Sequence, residues 1–233
     1  MSPKERSGTL ALVGGGEWQD GCRDFDTELL ARAGGDEVVV LPTAAAFEHP
    51  DRAVQRAVGY FTDLGVSVRA LEVLRRADAE DRALAESIAD ANFVYISDGS
   101  PLHLRSALKD SALFDAMLKA FRRGAVLAAS GAGATVLCDP MVDPRGGAYT
   151  VGLGVVRDLA VFPYHGTAAD HLRERSIDLL PRSATLVGLD EQTALIRDPD
   201  AKWRVAGAGV VTVYDGRKTT VVDSGTKVEQ LAV

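Results

Sequence analysis

The chain has 233 residues, of which 46% are hydrophobic and 25% are charged, and its formal net charge is −7. This acidic balance argues against nucleic acid or an anionic membrane as a partner, because both select for basic surfaces. No apolar run approaches the ~18 residues that span a bilayer, and residues 1–7 lack the apolar centre of a signal peptide. Two cysteines are too few for a disulfide framework or a zinc site, so we expect a cytoplasmic protein with free thiols and no metal ion.

The first two-thirds of the chain alternate between strand patterns and helix patterns. Apolar runs predict buried strands at Thr9–Val13, Glu37–Leu41, Val66–Leu71, Phe93–Ser97 and Ala125–Ala129. Helical spacing of apolar residues predicts one helix over Pro50–Leu64 and another from Leu113 to Phe121 that ends at Gly124. Because strands that alternate with helices are joined by right-handed crossovers, we predict a three-layer α/β fold with a mostly parallel central sheet flanked by helices.

The pattern changes towards the C-terminus. Short strand patterns follow one another at Ala194–Arg197, Trp203–Val205, Val210–Tyr214 and Thr219–Val222, with a hairpin-turn signal at Asp215-Gly216. We therefore predict that an antiparallel meander over about residues 194–223 extends the parallel sheet. No repeat, low-complexity tract or linker divides the chain, so residues 1–233 are expected to form a single domain.

The segment Ala128-Ala129-Ser130-Gly131-Ala132-Gly133-Ala134 has the pattern of a nucleophile elbow. It follows an apolar strand and leads into Thr135-Val136-Leu137, which predicts a strand, a sharp turn and a helix. Small residues are needed on both sides because the turn is strained. Such a turn points a hydroxyl at the substrate and places backbone N–H groups to bind an oxyanion. The function depends on whether Ser130 or Gly131 occupies the nucleophile position.

Two further turns follow predicted strands. Gly14-Gly15-Gly16-Glu17 does not fit a dinucleotide-binding motif, and we favour a tight turn that lines a pocket at the carboxyl edge of the sheet over a site that cradles an anion. In Ser97-Asp98-Gly99-Ser100-Pro101, Gly99 is a candidate oxyanion donor. The alternative is a plain helix start, with Ser100 as the N-cap and Pro101 in the first position.

Two residues are candidates for a base and its supporting acid. His165 follows the apolar run Leu159–Tyr164 and precedes Gly166, which places it at a strand edge as a candidate general base, although lone histidines are more often structural. Asp143 lies in the loop after the elbow and is a candidate to orient a histidine. An aspartate before a proline is also a common turn former.

Taken in order, these motifs and the segment Gly188–Ala194 resemble the dipeptidase E and cyanophycinase family of serine peptidases. The resemblance extends from about Thr9 to Ile196 and implies the class I glutamine-amidotransferase-like fold. It also implies hydrolysis of short peptides or amides, with acidic peptides that start or branch at aspartate as the substrate class. We expect no cofactor, a small peptide or amide as the ligand, and a pocket that includes Gly15, Gly16 and Glu17. A homodimer is compatible with the sequence.

The family's elbow has the form Gly-x-Ser-Ala-Gly-Ala, and its triad is that serine, a histidine and an acid. The resemblance places His165 on the histidine and Asp143 on the acid. It aligns Ala132 with the residue after the nucleophile, so Gly131 stands where the family has its serine. Asp98 also replaces a glycine in the oxyanion turn, where a carboxylate would oppose the negative charge that develops during acyl transfer.

These departures leave several interpretations, of which a hydrolase impaired by loss of its nucleophile is favoured. In one alternative the elbow slips by one residue and Ser130 attacks, although the slip would turn the side chain to the other face of the strand. In another, the chain keeps the pocket but only binds a small ligand or a protein partner, or performs different chemistry. In a third, Gly131 is a substitution introduced to disable the enzyme. The distance from Ser130 Oγ to the His165 ring separates the first alternative from the second.

Overall fold

The computed structural model describes residues 7–216 and 218–231, and its centre is a seven-stranded sheet in the order β13-β12-β1-β5-β4-β2-β3. The five strands from β3 to β1 in this order pair in parallel. Their side chains alternate between two apolar faces, so that Leu12 and Val13 contribute to different buried clusters. The five parallel strands are β1 (Leu10–Val13), β2 (Glu37–Leu41), β3 (Ser67–Ala70), β4 (Phe93–Ile96) and β5 (Val126–Ser130).

Helices cover both faces of this sheet. On one face, α1 (Arg23–Ala33) and α2 (Pro50–Asp63) bury Phe25 and Phe61 against the strands. Apolar residues of five other helices join the cluster on the opposite face; these helices are α3 (Arg76–Ala79), α4 (Arg82–Ala89), α5 (Pro101–Leu108), α6 (Ala112–Arg123) and α7 (Ala132–Leu137). The predicted three-layer fold with a mostly parallel central sheet is therefore confirmed.

The C-terminal strands do not form the single meander that the sequence predicts. Two of them, β12 (Thr193–Arg197) and β13 (Trp203–Gly207), extend the central sheet in antiparallel fashion. The next two, β14 (Val210–Asp215) and β15 (Lys218–Asp223), pair with each other and join a second sheet. The prediction was wrong here because period-two alternation shows which face of a strand is buried but not which strand becomes its neighbour.

The second sheet has six strands in the order β15-β14-β11-β10-β6-β9. Its other members are β6 (Cys138–Asp139), β9 (Val156–Arg157), β10 (Leu159–Phe162) and β11 (Thr185–Leu189). Val187 of β11 belongs to the same buried cluster as Leu12 of β1, so the two sheets share a core. The single-domain organisation stays a prediction.

The remaining elements are short. A two-stranded sheet pairs β7 (Met141–Val142) with β8 (Tyr149–Thr150), and α8 (Asp170–Asp178) packs Leu172 and Ile177 on a small cluster that includes Val142. Single 3₁₀ turns occur at Asp20–Cys22, Thr43–Ala45 and Glu229–Leu231. Within the described ranges, none of the helices combines the length and the hydropathy that a membrane span needs.

Candidate active site

The elbow turn is formed by Gly131, between the end of β5 and the start of α7. Its backbone angles are φ 48° and ψ −105°, in a region where side chains other than hydrogen are rarely accommodated. The turn is anchored on both sides, because the N–H of Gly131 donates to the Val13 carbonyl at 2.9 Å and its carbonyl accepts from Thr135 N at 3.1 Å. The structure thus places Gly131, and not Ser130, at the sharp turn.

Ser130 is the last residue of β5 and is completely buried. Its Oγ donates a hydrogen bond to Glu17 Oε2 at 2.8 Å. Among the hydrogen bonds of the described residues, none joins Ser130 to His165. The hydroxyl is therefore enclosed in the protein and bound to Glu17.

Glu17 connects three segments of the site. Its Oε1 accepts from the N–H of Asp98 at 3.3 Å, while Oε2 accepts from Ser130. Burial of this carboxyl raises its pKa, and the negative charge of Asp98 adds to the increase. Glu17 is thus a buried partner that holds the turn after β1, the turn after β4 and the end of β5 together.

The Asp98 carboxylate occupies the place where a nucleophile and an oxyanion would be expected. Its Oδ1 accepts from Gly99 N at 2.7 Å and from Ala132 N at 2.6 Å, and its Oδ2 accepts from the Tyr164 hydroxyl. A Cβ on Gly131 would lie less than 3.0 Å from this carboxylate, and real Cβ atoms essentially never show so short a contact. Both N–H groups of the expected oxyanion hole are therefore already bound, and the space for a side chain at position 131 is filled.

Tyr164 is a site residue that the sequence analysis missed. It adopts φ 55°, unusual for a residue other than glycine, and its ring lies where a Cβ on Gly15 would have to be. Gly15, at φ 108°, is thus required by the tyrosine as well as by the turn. In the sequence Tyr164 only ends an apolar run, and nothing local distinguishes it from a core residue.

His165 has partners other than the expected Asp143. Its Nε2 lies 2.7 Å from the Tyr214 hydroxyl, and its Nδ1 lies 3.8 Å from Asp190 Oδ1. Burial lowers the pKa of His165, with a further decrease from the charge of Arg173, while Asp190 opposes both. Asp190 belongs to the segment 188–194 that contributed to the family resemblance, but the sequence analysis gave it no role.

Asp143 is bound to a neighbour in its own loop. Its carboxylate accepts from the backbone N–H and the guanidinium of Arg145, at 2.7 to 3.0 Å. These bonds hold the pKa of Asp143 below its ordinary value. Within residues 7–216 and 218–231, no hydrogen bond or ion pair joins Asp143 to His165, and the expected triad pairing stays a prediction without a contact in this structure.

Two cavities meet at Asp98, Gly99 and Tyr164. The first has a volume of about 250 Å³ and is mainly apolar; its lining includes Pro101, Val142, Pro144, Phe162, Ala168 and Leu172, together with Asp143. The second has a volume of about 480 Å³ and is mainly polar; its lining includes Gly16, Glu17, Glu48, His49, Arg52, Arg56 and Glu191. Neither Ser130 nor His165 lines either cavity. The part of the chain that the structure describes contains no cluster of three or more side chains suited to hold a metal ion.

The parallel sheet and its strand–turn–helix elbow define an α/β protein of the kind that places its active site at the carboxyl end of a central strand. Residues 10–202 match Peptidase_S51, peptidase family S51, and the chain belongs to this family. It is 28% identical over 226 residues to a cyanophycinase from Synechococcus elongatus, which covers 90% of this chain and 69% of that protein. It is 25% identical over 235 residues to a cyanophycinase from Geminocystis herdmanii (strain PCC 6308), with 93% and 84% covered.

A solved structure supports the same assignment. The crystal structure of a peptidase from an acI-B1 Actinobacterium is 28% identical to this chain and superposes with a TM-score of 0.87. The match covers 97% of this chain and 98% of that one, so it includes both sheets and the elbow. The resemblance to the dipeptidase E and cyanophycinase family is thereby confirmed.

Proposed function

We propose that this chain is a non-hydrolytic member of peptidase family S51 that binds a small peptide or amide in the cleft beside the elbow. The observation that carries the proposal is the position of the Asp98 carboxylate. It accepts hydrogen bonds from both Gly99 and Ala132 and fills the space next to Gly131. Membership of the family accounts for the peptidase-type fold. The Asp98 carboxylate occupies the position at which a substrate carbonyl would react.

Serine-type hydrolysis has two requirements at the reacting carbonyl. A nucleophile must attack the carbonyl carbon, and free N–H donors must stabilise the oxygen as it becomes negative. Gly131 offers no side chain, and the two N–H donors are bound to an anion that belongs to the protein. A substrate oxygen would have to displace that anion before it gained any stabilisation, and it would then lie beside a negative charge.

Ser130 does not supply the missing nucleophile in this arrangement. Its hydroxyl is completely buried, hydrogen-bonded to Glu17 and absent from the lining of both cavities. A substrate carbonyl would have to pass Gly131 and Asp98 to reach it. The geometry therefore supports ligand binding over a slipped elbow. We also propose a cytoplasmic location, on the basis of the free buried thiols of Cys22 and Cys138.

The test is reaction of the unmodified protein with a fluorophosphonate probe, followed by mass spectrometry of its peptides. We expect no adduct on Ser130 and no release of product from short peptides, including peptides that begin with aspartate. The Ser130→Ala variant is the matched control, because it removes the hydroxyl that remains near the elbow. Labelling of Ser130 together with turnover that disappears in Ser130→Ala would overturn the proposal.

A further inference from the structure

We propose that the cleft selects a ligand with a protonated amino group beside an apolar side chain, such as the amide of an apolar amino acid. The ammonium group would bind the Asp98 carboxylate, and the side chain would enter the apolar cavity. This inference rests on the proposed function, because it assigns the carboxylate in the former reaction centre to ligand binding. It differs from the acidic substrates that the family resemblance implies.

Asp98 has an unused hydrogen-bond acceptor position, so it favours a ligand group that donates a hydrogen bond over one that accepts. Each oxygen of a carboxylate can accept about two hydrogen bonds. Oδ1 already accepts two, from Gly99 N and Ala132 N, whereas Oδ2 accepts one, from the Tyr164 hydroxyl. The one remaining acceptor position is therefore on Oδ2. A ligand carbonyl or carboxylate finds no free N–H at this point, because the carboxylate of the protein has taken both.

The charge of Asp98 also lacks a partner from the protein. No lysine, arginine or histidine in the described ranges forms an ion pair with Asp98. Its acidic neighbour Glu17, whose Oε1 accepts from Asp98 N, offers no positive charge to compensate it. Asp98 is half-buried, and a ligand ammonium would supply both an opposite charge and a further hydrogen-bond donor.

The apolar cavity defines the second feature of the ligand. Its lining joins Asp98 and Tyr164 to the apolar side chains of Pro101, Val142, Phe162 and Leu172. Burial of an aliphatic or aromatic side chain among these residues is favourable. The polar cavity on the other side of Asp98 carries Arg52 and Arg56 as well as Glu48 and Glu191, so this mixed lining accommodates the polar remainder of a peptide without selecting one charge.

Calorimetric titration of the full chain with matched small molecules tests this inference. Phenylalanine amide is the probe, used at pH 6, where its amino group is protonated. The comparison compounds are 3-phenylpropanamide, which lacks only the amino group, 3-phenylpropionate, which replaces the amide with a carboxylate, and alanine amide, which lacks the ring. We expect phenylalanine amide to bind about tenfold or more tightly than each of them, since each lacks the ammonium or the apolar group.

Two variants separate the contributions. Asp98→Asn keeps the size of the side chain and removes its charge, so it should abolish the preference for phenylalanine amide over 3-phenylpropanamide. Ala168→Phe fills the apolar cavity and should weaken phenylalanine amide while sparing alanine amide. Equal affinity for the charged and neutral amides, or an unchanged preference in Asp98→Asn, overturns the inference, as does failure of the unmodified protein to bind at millimolar concentration. Hydrolysis of phenylalanine amide would instead refute the proposed function, which the same samples reveal by the ammonia released.

Discussion

Glu17 and Asp26 are both buried acidic residues, but only Glu17 has a hydrogen-bond partner for each carboxylate oxygen. Glu17 accepts from Asp98 N and from the Ser130 hydroxyl, and so helps to hold the elbow region together. Asp26, on α1, accepts from the Tyr60 hydroxyl through Oδ2, while its Oδ1 has no partner among the described residues. Burial raises the pKa of Asp26 to about 8.

The comparison shows two different uses of a buried acid. Around the elbow, each carboxylate oxygen of Glu17 and of Asp98 accepts at least one hydrogen bond. Asp26 is buried near Tyr95, whose hydroxyl also lacks a partner among the described residues. Burial raises the pKa of both acids, so both make stability depend on pH, but we infer that only Glu17 also holds the three segments of the elbow region together through its hydrogen bonds.

The largest effect is expected from Gly131→Ser. A serine at position 131 has to adopt a left-handed φ and its Cβ overlaps the Asp98 carboxylate, so we expect a loss of about 2–4 kcal/mol in the free energy of unfolding. Denaturant unfolding measures this loss. The double variant Gly131→Ser/Asp98→Gly removes the overlap and should recover part of the stability.

The same pair of variants tests whether Gly131 and Asp98 prevent hydrolysis. Weak hydrolysis of short peptides should arise in the double variant and exceed that of Gly131→Ser, because only the double variant has both a hydroxyl and free N–H donors at Gly99 and Ala132. Asp98→Gly alone, which has no hydroxyl at position 131, is the control and should stay inactive. If Gly131→Ser is as stable as the unmodified chain and hydrolyses peptides as fast as the double variant, the role assigned to Asp98 is wrong.

The second prediction concerns Asp26→Asn and the pH dependence of stability. The pKa of Asp26 rises from its ordinary value of 3.8 to about 8 on folding, so between these values the folded protein keeps a proton that the unfolded chain releases. This residue therefore lowers stability as the pH rises from about 4 to about 8, and its penalty is complete above pH 8.

Asparagine cannot ionise, so the variant should lose this slope and be more stable than the unmodified chain above pH 8. Unfolding free energies measured from pH 4 to pH 9 test the prediction. Asp24→Asn, at an exposed position of the same helix, is the matched control. Parallel pH profiles for Asp26→Asn and the unmodified chain would show that Asp26 is not the cause.

A smaller effect is expected from Tyr164→Phe, which removes the hydroxyl that donates to Asp98 Oδ2. The loss of a hydrogen bond to a carboxylate should reduce the free energy of unfolding by about 1.5–3 kcal/mol, the range for bonds to charged groups. Tyr214→Phe is a suitable control, since its hydroxyl contacts His165 and not Asp98. Equal unfolding curves for Tyr164→Phe and the unmodified chain would show that the hydrogen bond between Tyr164 and Asp98 does not contribute to stability.

The smallest effect concerns the titration of His165, followed by its imidazole signals in NMR spectra. Burial and Arg173 lower its pKa while Asp190 raises it, so Asp190→Asn should lower the pKa further. Glu191→Gln, which changes the adjacent carboxylate bound to Thr167, should leave the His165 titration nearly unchanged. A His165 pKa that responds to Asp143→Asn but not to Asp190→Asn would restore the triad pairing expected from the sequence.

Local patterns in the sequence determined the parallel strands, the helices α2, α6 and α7, and the position of the elbow. Apolar runs of four or five residues and helical spacing are local properties, and the strand Glu37–Leu41 has the predicted bounds. The family was also readable, because the small residues around Gly131 and the turn at Ser97–Pro101 keep their order and spacing along the chain. These features require no knowledge of which distant residues meet.

The tertiary structure alone decided what the site contains. Asp98 lies 34 residues from Ala132 and 66 from Tyr164 in sequence, and Ser130 lies 113 from Glu17. Whether the Asp98 carboxylate turns into the oxyanion hole, and whether His165 meets Asp143 or Asp190, depends on the packing of loops from several strands at one edge of the sheet. These hydrogen bonds form only where donor and acceptor have the right distance and direction in the folded chain, and neither can be read from the spacing of residues in the sequence.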